Sequence, residues 1–98
     1  MSAAPRFDEV VHAPNRLRIC SMLSRMTEVE FAAIREGLGV SDSVLSKQLK
    51  ALEDAGYLTV RKSPLEGRTR TWAALTDTGR AAFAGHVAEL KRLAEGIA

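Results

Sequence analysis

Ser43, Ser46, Lys47 and Lys50 recur at i, i+3, i+4 and i+7, the spacing that sets side chains on one face of an α-helix. Hydroxyls and ammonium groups on a shared stripe hydrogen-bond to phosphates and to the edges of bases. Ser41 stands where the helix would begin, and a helix N-terminus suits a phosphate. Gln48 has the amide needed for a bidentate contact with adenine, although its direction on the helix is open. Further along, Arg61, Lys62, Arg68 and Arg70 flank a Pro-Leu-Glu-Gly segment and form a second basic group. Both groups point to a polyanionic partner.

Other chemistries lack a comparable set. Cys20 is the only cysteine, so no internal disulfide forms, and its place on an apolar helix face marks it as packing. His12 lies eight residues from Cys20, about 12 Å even along one continuous helix, too far for a nucleophile–base pair. His86 is distant in sequence and sits at the edge of a helical stripe, where packing is the expected role. No Ser/His/Asp set, paired-carboxylate motif or phosphate-cradling glycine loop occurs, so neither an enzyme nor a cofactor is indicated.

The bulk numbers agree. A chain of 98 residues with 46% hydrophobic and 27% charged residues reads as one globular domain spanning 1–98. The net charge is only +2, yet the excess is localised. Residues 1–40 carry five basic and five acidic side chains, residues 76–98 three and three, and residues 41–70 six and four. No apolar run is long enough to span a membrane, and Met1 to Arg6 lacks the apolar core of a secretory signal, so a soluble cytoplasmic protein is expected.

The elements that must position these residues follow from periodicity. Phe7 to His12 reads as a short helix with Phe7, Val10 and Val11 on one face. Pro14 opens a second helix to Ser24, with Leu17, Ile19, Cys20 and Leu23 apolar. A minimal strand is expected near Val29. Phe31 to Leu38 is a third helix, closed by Gly39. Ser41 caps a fourth, residues 42–55, whose apolar stripe is Val44, Leu45, Leu49 and Leu52. The period then shifts to two: Tyr57 to Ser63 and Thr69 to Leu75 read as strands joined by a turn over Pro64 to Gly67. Trp72 does not share the parity of Leu75, so it packs from the other face or a bulge shifts the register; a structural role is expected. Thr76 caps a last helix, residues 77–96, with Phe83, Val87, Leu90, Ala94 and Ile97 at steps of three or four and Leu93 widening the stripe.

Two short helices followed by a hairpin give the layout of a winged helix-turn-helix, with the helix-turn-helix at about 31–55 and the wing at about 57–75. The segment Gly39 to Leu58, GVSDSVLSKQLKALEDAGYL, resembles the recognition-helix region of MarR/ArsR-type bacterial regulators. His12 to Ile19, HAPNRLRI, and Leu75 to Phe83, LTDTGRAAF, resemble their flanking helices. The resemblance is strongest to short, single-domain regulators related to MarR and covers roughly Phe7 to Leu93. It implies an α+β, mainly helical fold with a two-stranded wing, a dimerisation helix at the C-terminus, and sequence-specific binding of duplex DNA.

On that reading Ser41, Ser43, Ser46, Lys47, Lys50, Arg61, Lys62, Arg68 and Arg70 contact DNA. Phe7, Val10, Val11, Phe83, Val87, Leu90, Ala94 and Ile97 form a homodimer interface, and the operator is palindromic. Repression is what the family implies. The metal-sensing ArsR pattern needs a cysteine pair or a His/Asp/Glu cluster, and the sequence shows neither. A small-molecule effector has no identifiable pocket in the sequence. The competing reading is a winged-helix protein-interaction module without DNA contact, which has no need of four basic residues around a hairpin tip.

Overall fold

The computed structural model describes residues 4–96. Among them are five helices and three strands in the order α1 (Glu9–His12), α2 (Pro14–Ser24), β1 (Val29–Glu30), α3 (Phe31–Leu38), α4 (Asp42–Asp54), β2 (Leu58–Leu65), β3 (Arg68–Leu75) and α5 (Asp77–Ala94). The fold is α+β and mainly helical, as expected.

Local chemistry sets the boundaries. Asp8 caps α1 by accepting from the Val10 and Val11 amides. Ala13 is extended, as a residue before proline prefers, so Pro14 starts a new helix instead of continuing α1. Gly39 ends α3 in the left-handed region, and the Ser41 hydroxyl accepts from the Val44 amide to start α4.

The sheet is antiparallel with strand order β1-β3-β2. Its ladder runs without a bulge from Leu58↔Leu75 to Leu65↔Arg68, and Val29↔Ala73 and Glu30↔Trp72 add the short third strand. The turn is tighter than the sequence suggested. Pro64 and Leu65 belong to β2, and only Glu66 and Gly67 turn, with φ of 48° and 77°. Two successive positive φ values make a type I′ turn, whose twist matches that of the strands. Proline is tolerated because β2 is an edge strand. Leu65↔Arg68 closes the hairpin as a hydrogen-bonded pair. Pro64↔Thr69 is then a non-bonded pair, and the Pro64 nitrogen points away from β3.

The core lies between the helices and one side of the sheet. Ile19, Cys20 and Leu23 of α2, Ile34 and Leu38 of α3, Leu45, Leu49 and Leu52 of α4, and Leu58, Ala73 and Leu75 of the sheet are all buried. Each large member contributes roughly 1.5–3 kcal/mol through burial. Burial fades toward the turn, where Lys62, Pro64, Leu65 and Arg68 to Arg70 are exposed, so the hairpin projects beyond the core. The long axis measures 54 Å and the radius of gyration 14.3 Å, above the ~13 Å of a compact chain of this length.

Two expected faces need correction. Val44 is not in the buried stripe of α4 but 39% exposed. Val44 lies about 100° round the helix from Leu45, at the edge of the stripe, and nothing covers that edge at the first turn of α4, where Ser41, Asp42 and Ser43 are exposed as well. Val11, expected on a dimer face, is completely buried in the chain's own core.

The last helix is bolted to the turn between α4 and β2. Thr76 Oγ1 accepts from the Gly79 amide at 2.9 Å and donates to the Gly56 carbonyl at 2.7 Å. The Thr76 amide donates to the Tyr57 carbonyl at 3.0 Å. Gly79 lies so close to that carbonyl that a Cβ on it would stand 1.9 Å from the oxygen.

Candidate nucleic-acid interface

Helix α4 is held at its start, along its inner side and at its end. Arg35 of α3 reaches Asp42 at 2.7 Å and ties the two helices of the pair across their turn. Arg16 of α2 donates through Nε to the Val10 carbonyl and through Nη1 to Gln48 Oε1 at 3.0 Å. Gln48 is thereby turned toward α2, which settles its direction: it is a positioning contact on the inner side of α4.

The outer face of α4 presents Ser43, Ser46, Lys47 and Lys50, all exposed, together with Ser41 at its cap. Ser41 and Ser43 hydroxyls stand 3.3 Å apart. Lys50 pairs with Asp54 at 2.9 Å, one turn further along, and this carboxylate raises its pKa above the ordinary lysine value. Lys47 makes no ion pair among the described residues. Val44 adds an exposed apolar group at the first turn, able to meet a thymine methyl; the sequence reading had placed it in the core. Its nearness to the capped end of the helix was the signal that could have found it.

The hairpin divides its four cations. Lys62 and Thr71 face the same side as Val60 and Ala73, and with Ser46, Lys50 and Phe31 they line a groove between α4 and the sheet. Asp42 and Glu53 edge that groove. Arg61, Arg70 and Arg68 lie on the opposite side of the sheet. Arg68 flanks the turn at the far end of the hairpin and, like Lys62, forms no ion pair among the described residues. Trp72 also lies on that opposite side, half-buried, with the Arg61 guanidinium 5.6 Å from its ring centroid. The parity puzzle is resolved by packing from the other face, not by a bulge.

The terminal helices bring together groups that are far apart in sequence. His86 is fully buried. Its Nδ1 accepts from the Asp8 amide at 2.9 Å, so its proton sits on Nε2, which donates to His12 Nδ1 at 3.1 Å. Phe7 packs edgewise on the His86 imidazole and tilted against that of His12. Tyr57 donates its hydroxyl to the Asp8 carboxylate. Burial pushes that carboxyl up, but the Tyr57 hydroxyl and the Val11 and Val10 amides outweigh it and hold Asp8 below its ordinary value. Burial and then the Asp8 charge push the Cys20 thiol up to about 11, so it stays a packed thiol.

The outer face of α5 is only partly covered. Val87 and Leu93 are 41% and 52% exposed, Ala94 is exposed and Leu90 half-buried. Phe83 and Val10 are half-buried and lean on the core. Ile97 lies outside the described residues. No helix among the described residues is long and apolar enough to cross a membrane.

The family model of the winged helix DNA-binding domain matches residues 15–94, which takes in all of α2 to α5 except Pro14. The chain belongs to that family. An uncharacterised protein of Methanocaldococcus jannaschii is 33% identical to this winged helix over 82 residues, covering 84% of the chain and 89% of the relative. Among solved structures, a transcriptional regulator homologue from Pyrococcus horikoshii superposes with a TM-score of 0.85 at 24% identity, over 92% of this chain and 89% of that one. The YusO protein of Bacillus subtilis gives 0.79 at 19% identity, over 90% of this chain and 62% of that one. At these identities the structural likeness is one of fold. Within the winged helix, α3 and α4 form the helix-turn-helix and β2–β3 the wing.

Proposed function

We propose that this winged helix is a sequence-specific, duplex-DNA-binding transcriptional regulator that acts as a homodimeric repressor. The observation that carries this reading is the outer face of α4. Ser43, Lys47 and Lys50 stand clear of the core beside a groove that Lys62 enters from the wing. A helix of this width fits the major groove, where all four base pairs are distinguishable. Ser43, Val44, Ser46 and Lys47 reach base edges, Ser41, Lys62 and Arg68 take phosphates, and Lys50 does so by leaving its exposed partner Asp54. Occupancy of an operator by two such units excludes polymerase sterically. The dimer uses the uncovered face of α5 with Phe7 and Val10 beside it, and Val11 supports that face from within.

Selection of bound sequences from random duplex tests this directly, and a palindrome with half-sites about one helical turn apart is the expected outcome. On the selected duplex, Arg68→Ala weakens binding across sequences and reduces the salt slope by about one unit. Ser46→Ala or Lys47→Ala changes the sequence preference instead. Failure of the wild-type chain to retain any duplex at low salt would leave a protein-interaction module as the better reading. Unchanged affinity for Arg68→Ala would remove the wing from the interface.

A further inference from the structure

The side of the sheet that faces away from α4 carries an ordered set of charges. Glu28, just ahead of β1, grips Arg61 with two contacts, Nη2 to Oε1 at 2.6 Å and Nε to Oε2 at 3.3 Å. Glu30 of β1 holds Arg70 Nε at 3.1 Å. Trp72 lies in register between them, opposite Glu30 on one side and Arg61 on the other. Both acids are less exposed than the arginines they hold, with side-chain exposures of 34% and 28% against 53% and 47%. Two of the wing's four cations are thus matched one to one by carboxylates in, and just ahead of, the short strand that leads into α3.

Such pairs contribute little stability at a surface, about 0–1 kcal/mol each. Their effect on polyanion binding is larger. Duplex affinity for any sequence rises with the number of phosphates a protein neutralises, because each releases condensed counterions. An arginine with a tethered carboxylate beside it presents no net charge, so it releases none. The geometry adds direction. When α4 sits in the major groove, Lys62 turns toward the duplex. Arg68 stands at the tip beside the turn, where the hairpin ends; Arg61 and Arg70 share its side of the sheet but lie back along the hairpin and turn away. Unpaired arginines there would favour docking in the wrong orientation and add nothing to base readout.

We propose that Glu28 and Glu30 are specificity-setting residues: fixed counterions that cancel Arg61 and Arg70 and so suppress binding to arbitrary duplex through the far side of the sheet. This rests on duplex binding by α4, and the wild-type protein serves as the control for that reading. The test compares wild type with Glu28→Gln/Glu30→Gln on random-sequence duplex and on the best selected duplex, between 50 and 200 mM salt. The expected result is tighter binding of random duplex, with a salt slope steeper by about 1.8 units. The gain then shrinks about twelvefold across that salt range. Affinity for the selected duplex stays within about twofold of wild type, so the ratio of selected to random affinity falls.

Unchanged random-duplex binding overturns the proposal. So does an equal gain on both duplexes, which would place the arginines in the specific complex. A wild type that binds no duplex fails the underlying reading, and the proposal with it. The variant carrying Gln at all four positions, 28, 30, 61 and 70, guards against misfolding of the first. It should match the wild-type slope, and a shallower one shows that Arg61 or Arg70 already contributes in the wild type.

Discussion

His86 combines full burial with two committed ring nitrogens, one accepting from the Asp8 amide and one donating to His12. Burial, and then the neighbouring His12, hold its pKa below the ordinary value of 6.5. The unfolded chain therefore binds this proton first, and stability rises with pH wherever that is so. The contribution is complete above about pH 6.5 and drains away as pH falls toward the folded value. Asp8, also held low, adds a second loss further down, below its ordinary 3.8. Thermal midpoints at pH 7.5, 6.0 and 5.0 should fall steadily for the wild type. His86→Gln should start lower and fall less, and a wild-type midpoint indifferent to pH over this range would count against the assignment. None of this was legible in the sequence. His12 and His86 are 74 positions apart, and only the packing of α1 on α5 brings their rings together.

Helices α2 and α3 were legible to the residue, because their limits are set by short-range chemistry: Pro14 in a first turn and Gly39 in the left-handed region. The stripe of Ser43, Ser46, Lys47 and Lys50 was legible for the same reason, since helical spacing is local. The errors came where tertiary position decides. Pro64 reads as a breaker unless its strand is known to be an edge, and Val44 reads as core unless the cover over the first turn of α4 is known. The partners of Arg61 and Arg70 were out of reach as well, because Glu28 is 33 residues from Arg61 and β1 has only two residues. Gly79, in the first turn of α5, was not singled out by the sequence, yet the structure requires it. Thr76 and Gly79 let α5 press on the Tyr57 carbonyl, so Gly79→Ala drives a Cβ into that backbone carbonyl. It should destabilise the chain by about 3 kcal/mol, read as a shift in denaturant midpoint with little change in slope. A shift below about 0.5 kcal/mol would mean that α5 slides at small cost.

At the scale of the whole molecule, one side of α5 is left uncovered while the rest of its surface is used. Val87 and Leu93, joined by Leu90 and Ala94 on the face between them, form an apolar strip that a second copy can bury. Val87→Lys with Leu93→Lys should give a folded monomer by sedimentation, with the far-ultraviolet spectrum unchanged. It should bind a palindromic duplex much more weakly than wild type at equal concentration, yet bind an isolated half-site about as well. A double variant that still sediments as the wild type would put the subunit contact elsewhere. Shape matters to the other end of the molecule. The wing projects beyond the core with one open strand edge, and an open edge is a template on which another chain can zip. Pro64 removes a donor from that edge and Lys62 sits on the same strand. Domains crowded along a stretch of DNA, wing beside wing, are thereby kept from stitching into a continuous sheet.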